Sequence, residues 1–144
     1  MDTRTINKSL RDTNNFIGIY PRDNLPKRVT PPISLVANTD TSDKPGEHWI
    51  AIYIDEDGVG EYFDSYGFPP MHRQFIEFLS INCPNGYFSN FKPLQCLTCV
   101  TCGHYCIAYI KMRTNGISYN EFINLFTNNQ LTNDKLIKKY VSII

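Results

Sequence analysis

The stretch Gln95-Cys-Leu-Thr-Cys-Val-Thr-Cys-Gly-His-Tyr-Cys106, running on from Ile107 to Met112, decides how the rest of the chain is read. Its cysteines Cys96, Cys99, Cys102 and Cys106 follow C-x2-C-x2-C-x3-C, the spacing of a bacterial iron–sulfur run. Read as ligands, they make the chain a small iron–sulfur or zinc module. Read as the mouth of a helix, they make Cys102 the first residue of a segment that stays apolar almost all round to Met112, broken only by His104, Tyr105 and Lys111. A helix of that kind is the buried centre of a domain. A thiol at its start feels the positive end of the helix dipole, which favours the thiolate.

The metal reading ranks lower for three reasons. An iron–sulfur run of this spacing expects proline after its last cysteine, and here Ile107 follows. Two-cluster ferredoxins carry a second such run, and only Cys83 is left over in this chain. Structural zinc draws ligand pairs from two separate segments, and no second pair exists. On the thiol reading Gly103 lets the backbone approach a substrate closely. Cys96, Cys99 and Cys106 are then small apolar residues of the kind common in cores.

A cysteine nucleophile needs a histidine base and a group to orient it. His104 is two residues from Cys102, so on a helix it points elsewhere. His72 stands at the start of a predicted helix. His48 opens His48-Trp-Ile-Ala-Ile-Tyr-Ile54, a nearly continuous apolar run that suits a strand buried on both faces. Asp55-Glu-Asp-Gly58 reads as a turn, and residues 59–64 return as a partner strand. That hairpin sets His48 and Asp64 near one end of the sheet. Asp55, Glu56 and Asp57 lie at the other end, and Glu61 is mid-strand. Gln95, seven residues before Cys102, offers an amide that can donate to an oxyanion beside the backbone N–H of Cys102.

Around this centre the pattern predicts helix over 3–12, extended or looped chain over the proline-rich 13–32, and a first strand over 33–38. A helix over 71–82 with Phe75, Phe78 and Leu79 on its apolar stripe follows, then a strand over 87–94 limited by Pro93. Asn115-Gly116 ends the central helix. Ser118 and Glu121 form a capping box, and Ile117 with Phe122 a hydrophobic staple, for a helix over 119–127. A last helix begins near 133. The mixture is an α+β domain with a central mixed sheet flanked by helices, one domain over 1–144.

Composition excludes other classes. Apolar residues make up 42% of the chain and charged residues 19%, a globular balance rather than a disordered one. The 14 basic and 14 acidic residues cancel, which argues against a nucleic-acid surface and against DNA as a cofactor. No apolar run reaches the ~20 residues of a membrane span, and the N-terminus lacks a secretory segment. Five cysteines, an odd count with four crowded together, do not suggest a secreted disulfide framework. The chain is expected to work inside cells and as a monomer.

Gly46-Glu-His48-Trp49, Tyr62-Phe-Asp64-Ser-Tyr-Gly67, and Gln95 followed by Cys102-Gly-His-Tyr-Cys106 together resemble the adenovirus-type endopeptidases and their relatives, the SUMO-deconjugating proteases. The order His, acid, Gln, Cys is that family's order. Phe16-Ile-Gly-Ile-Tyr to Leu25-Pro26 also looks like the enzymes of adenoviruses, of Maverick/Polinton-type DNA transposons and of related viruses; the likeness spans about residues 14–112.

The resemblance implies a papain-like fold and peptide hydrolysis through a thioester. Cys102 would be nucleophile, His48 base and then acid, Asp64 the orienting acid, Gln95 the oxyanion donor, and Trp49 a wall of the substrate cleft. It implies viral capsid or core precursor proteins as substrates, cut after small or Gly residues during virion maturation, in the host nucleus or cytoplasm and in the virion. A deconjugating isopeptidase for ubiquitin or a ubiquitin-like modifier is the alternative with the same residues. No cofactor is required by the chemistry, and the family allows a peptide activator. His104 departs from the hydrophobic or aromatic residue usual at its position.

Overall fold

The computed structural model describes residues 1–144. Eleven segments of regular structure follow one another: helix α1 (Thr3–Leu10), strand β1 (Phe16–Pro21), a single tight helical turn (Arg22–Asn24), β2 (Ile33–Asn38), β3 (Trp49–Ile54), β4 (Gly60–Phe63), α2 (Arg73–Asn82), β5 (Tyr87–Ser89), α3 (Cys102–Thr114), α4 (Tyr119–Ile123) and α5 (Gln130–Ile143). The strands form one sheet in the order β1-β2-β3-β4-β5. β1 with β2 and β4 with β5 run parallel, whereas β2 with β3 and β3 with β4 run antiparallel.

The sheet is covered on both faces, which explains the unbroken apolar run of β3. Ile50, Ile52 and Ile54 point to one side with Leu35, Ala37 and Tyr62, against Phe75, Phe78 and Leu79 of α2. Ala51, on the alternate face, joins Val36 and Phe63 under Tyr105, Tyr109 and Ile110 of α3. Side chains in a strand alternate faces, so a strand between two helical layers must be apolar at every position. α3 is buried at Gly103 and from Tyr105 through Ile110, as its all-round apolar sequence requires.

Several boundaries differ from the sequence expectation. Residues 16–21, expected only as part of an extended or looped stretch, form a strand, and they make the 33–38 strand the second one. β1 is an edge strand with a shifted register between Phe16 and Ile19. Pro21 is tolerated there because an edge strand has one side without hydrogen-bond partners. The predicted 87–94 strand stops at Ser89, after which Asn90 turns inward. α4 is shorter than 119–127, and α5 starts at Gln130, capped by the Asn129 side chain on the Thr132 N–H at 3.0 Å. The capping box of Ser118 and Glu121 is present with both bonds.

Cys83 is a core residue. Its sulfur would lie 2.3 Å from any Cβ on Gly60, so glycine is required where β4 passes it. Burial pushes this thiol up to about 11.

Candidate active site

The β3–β4 hairpin supplies two of the candidate residues. Its register pairs Ala51 with Phe63, and continuing it sets 50 opposite 64 and 48 opposite 66. His48 and Asp64 are therefore diagonal neighbours on one face, just past the ends of their strands. His48 Nε2 meets Asp64 Oδ1 at 2.8 Å, and both side chains are buried. The His48 ring stacks on Tyr66, with centroids 4.5 Å apart and planes at 21°.

α3 brings the third. Cys102 is its first residue, and its thiol is hydrogen-bonded to the His48 side chain. With Nε2 committed to Asp64, Nδ1 is the nitrogen left for the sulfur. The backbone N–H groups of Trp49 and Gly103 also donate to the sulfur. Burial pushes the thiol up, but the His48 hydrogen bond, those two N–H groups and the histidine's charge together hold it below its ordinary 9.0. Burial pulls His48 down, but hydrogen bonds and charge from Asp64 and Cys102 outweigh it and raise the ring from 6.5 to about 9. Both shifts favour the thiolate–imidazolium pair over the neutral thiol and imidazole.

Asp64 is itself held. Asn90 is fully buried; its carbonyl oxygen accepts from the Asp64 N–H at 2.9 Å, and its amide donates to the Asp64 C=O at 2.7 Å. The Tyr66 N–H donates to Asp64 Oδ1 at 2.8 Å. Neither Asn90 nor the stacking of Tyr66 is expected from the sequence. Tyr66 falls inside the aromatic–acid–aromatic segment quoted above, which is the available signal, whereas a lone Asn after a short strand carries none.

Gln95 is fully buried and does not line the cleft. Its Oε1 accepts from Ser65 Oγ at 2.5 Å, and its Nε2 donates to the Cys99 C=O at 2.7 Å. One amide proton remains. Gly103, expected to face a substrate, is buried instead against the N-terminal segment: a Cβ there would lie 3.0 Å from Met1 Sδ and 3.4 Å from Ile6 Cδ1. The glycine lets the N-terminal segment and α1 pack closely on the start of α3, and its N–H rather than its open flank serves the sulfur. His72 sits at the start of α2, and His104 is half-buried on α3 within the field of Lys138 and Asp134.

The cysteine run does not converge. Cys106 is buried in the core, Cys102 is paired with His48, and Cys96 with Cys99 sits apart beside Asp134. An α-helix beginning at Cys102 turns the last two cysteines away from the first two, so one four-sulfur site cannot form.

Cys102 opens onto a cleft of about 530 Å³. Trp49, Tyr66, Cys99 and Val100 line it near the thiol, and Tyr20 and the 40–47 loop line the far part. Asn38 Oδ1 shapes that loop by accepting from the N–H groups of Asp40 at 2.8 Å and Glu47 at 3.1 Å.

A thiol at the start of the central helix, facing a histidine and an acid at the end of a mixed sheet, defines the class: the fold is that of a papain-like cysteine protease. The crystal structure of the African swine fever virus pS273R protease superimposes with a TM-score of 0.50 at 28% identity, covering 71% of this chain and 39% of that one. A second crystal structure of that protease gives 0.50 at 27% identity over 70% and 42%. Among curated proteins, a cysteine protease from a Malawi tick isolate of African swine fever virus is 34% identical over 110 residues, which is 68% of this chain and 40% of the relative. The protein named SUMO-1 cysteine protease, from a Kenyan pig isolate of the same virus, is 31% identical over 124 residues, 78% of this chain and 43% of the relative. The chain spans about two fifths of the length of these curated relatives. No family model matches it.

Proposed function

We propose that the chain is a cysteine endopeptidase of the adenovirus-endopeptidase and SUMO-protease kind, acting on viral precursor proteins. The observation that carries this reading is the division of the His48 ring between Asp64 and a thiol that opens onto the cleft. The Cys102 thiolate attacks the scissile carbonyl carbon. The electron pair of the C=O moves to oxygen, which accepts from the Cys102 backbone N–H, free because it begins a helix; Gln95, buried behind the cleft wall, adds its remaining amide proton only if the 96–99 turn shifts to open it to the oxyanion. The intermediate collapses, the C–N bond breaks, and the His48 imidazolium protonates the leaving amine. His48 then takes a proton from water, which attacks the thioester and releases the thiolate. These steps need no group beyond the named side chains.

Trp49 and Tyr66 crowd the approach to Cys102, which suits Gly or another small residue before the cut. Such substrates place the work in the infected host cell and the maturing virion. The name of one relative favours a second reading, removal of a ubiquitin-like modifier. The two separate by substrate: a capsid-precursor peptide against a di-Gly modifier fusion.

The test of catalysis is alkylation by iodoacetamide across pH, with the modified cysteine identified by mass spectrometry, alongside cleavage of both substrates. The expected result is alkylation of Cys102 ahead of the other four cysteines, with reactivity at neutral pH lost in His48→Ala. Equal reactivity of Cys102 and Cys96, unchanged by His48→Ala, overturns the assignment.

A further inference from the structure

The loop between Gln95 and α3 carries a cluster that the proposed catalysis does not use. Residues 96–99 form a turn in which the Cys99 N–H donates to the Cys96 C=O at 3.1 Å. The turn sets the two thiols side by side. With a carboxylate oxygen of Asp134, from the second turn of α5, the two sulfurs lie within 4.8 Å of one another. The Cys99 thiol faces both Cys96 and Asp134.

Asp134 is 4% exposed, and its orientation is fixed. Oδ1 accepts from the Tyr105 hydroxyl at 2.8 Å and the Thr101 hydroxyl at 3.0 Å, and Oδ2 from the Cys96 N–H at 3.2 Å. No lysine or arginine forms a salt bridge with it. Three groups that are anions when ionised therefore converge with no cation among them. Both thiols are partly open to solvent, so an ion can enter from outside onto a buried, pre-aimed carboxylate.

We propose that Cys96, Cys99 and Asp134 form a zinc(II) site that ties the 95–101 loop to α5. Cys-x2-Cys is the usual zinc knuckle, and two thiolates, one carboxylate and one water complete a tetrahedron. Zinc–sulfur bonds of about 2.3 Å and zinc–oxygen bonds of about 2.1 Å put neighbouring ligands roughly 3.5–4 Å apart, so the cluster must contract by about an ångström or less. Binding displaces the two thiol protons to solvent, so affinity rises with pH. The site differs from a four-cysteine cluster in using neither Cys102 nor Cys106. Its consequence is mechanical. Cys99 and Val100 line the cleft, and the Cys99 C=O holds the Gln95 amide, so zinc at this point stiffens the wall beside the thiol.

Zinc also binds a catalytic thiol and histidine, so the test uses the full chain with Cys102→Ala, reduced and freed of metal. Cobalt(II) is titrated in and followed by absorption. The expected result is one equivalent bound, with a thiolate-to-cobalt charge-transfer band that zinc displaces and a higher melting temperature with zinc. Cys99→Ser in the same background should weaken cobalt binding by more than about tenfold and bleach the band, while Cys83→Ser leaves both unchanged. Asp134→Asn sets an NH2 donor against the Cys96 N–H that Oδ2 accepts from, and so disturbs the loop as well as the ligand set; Cys96→Ser and Cys99→Ser are the deciding variants. No charge-transfer band, or a band that survives both of those variants, overturns the proposal. So does a Cys96–Cys99 disulfide whose reduced form binds no cobalt. The outcome is independent of whether the chain cleaves peptides.

Discussion

β4 and its extension carry two buried acids three residues apart, Glu61 and Asp64; Glu61 faces groups on α3, whereas Asp64 faces His48 at the start of β3. Glu61 is closed on itself. Its Oε1 accepts from Arg113 Nε at 2.9 Å and from the Tyr109 hydroxyl, and its Oε2 accepts from Arg113 Nη2 at 2.6 Å. Arg113 is in turn spent: Nη1 donates to the Ile117 C=O at 2.8 Å, and the guanidinium lies 4.6 Å over the Tyr53 ring. Asp64 instead passes its charge through His48 to a sulfur that reaches the cleft. A buried ion pair whose members face only each other and neighbouring core groups can only hold elements together. One whose last member is open to solvent can meet a substrate.

Four measurements break or sharpen that contrast. The largest effect is expected from Cys102→Ala, which should abolish peptide cleavage and leave the melting temperature nearly unchanged, as checked by activity assay and calorimetry. A large loss of stability would mean that the sulfur is a packing residue.

The opposite pattern is expected from Glu61→Ala. Leaving Arg113 half-buried without its carboxylate should cost about 3–5 kcal/mol, read by denaturant unfolding, while activity per folded molecule is kept. Lost activity at unchanged stability would erase the distinction between the two acids.

Gln95→Ala should lower kcat by about 10²–10³ if its free amide proton serves the oxyanion. Its kcat should then fall while KM holds. If only stability falls, the residue is confined to the ties it makes with Ser65 and Cys99.

The smallest effect is a shift along the pH axis. Alkylation of Cys102 should begin below the ordinary thiol value of 9.0, while Cys83 in the same molecule resists until about 11. kcat/KM should decline again as His48 loses its proton near 9. The sign for stability follows the same shift. The folded chain holds the His48 proton more tightly than the unfolded one, so this contribution is full below the ordinary 6.5 and is lost as pH rises through about 9. A single limb at the ordinary thiol value would show that Cys102 and His48 do not interact.

Much of the core and of the site is legible in the residues alone. The apolar run at 48–54 and the all-round apolar helix after Cys102 could only be the two buried layers of one core, because nothing else removes apolar side chains on every face from water. The hairpin that begins at His48 then puts His48 and Asp64 at one end. What is not legible sits at edges and in loops. Pro21 and Gly18 disguise β1, since edge positions tolerate residues that a central strand rejects. Asn90 leaves no mark because its hydrogen bonds reach back 26 residues to Asp64.

By itself, then, the sequence determined the layers, the order of the candidate residues and the choice of His48 over His72 and His104 as candidate base, since each follows from local periodicity or from position at an element's end. Only the tertiary structure decided the division of the cysteines among three environments, the burial of Gly103 under α1 and the meeting of Asp134 with Cys96 and Cys99. Those depend on which face of one helix meets another segment far away in the chain, and no local pattern encodes a contact across more than thirty residues.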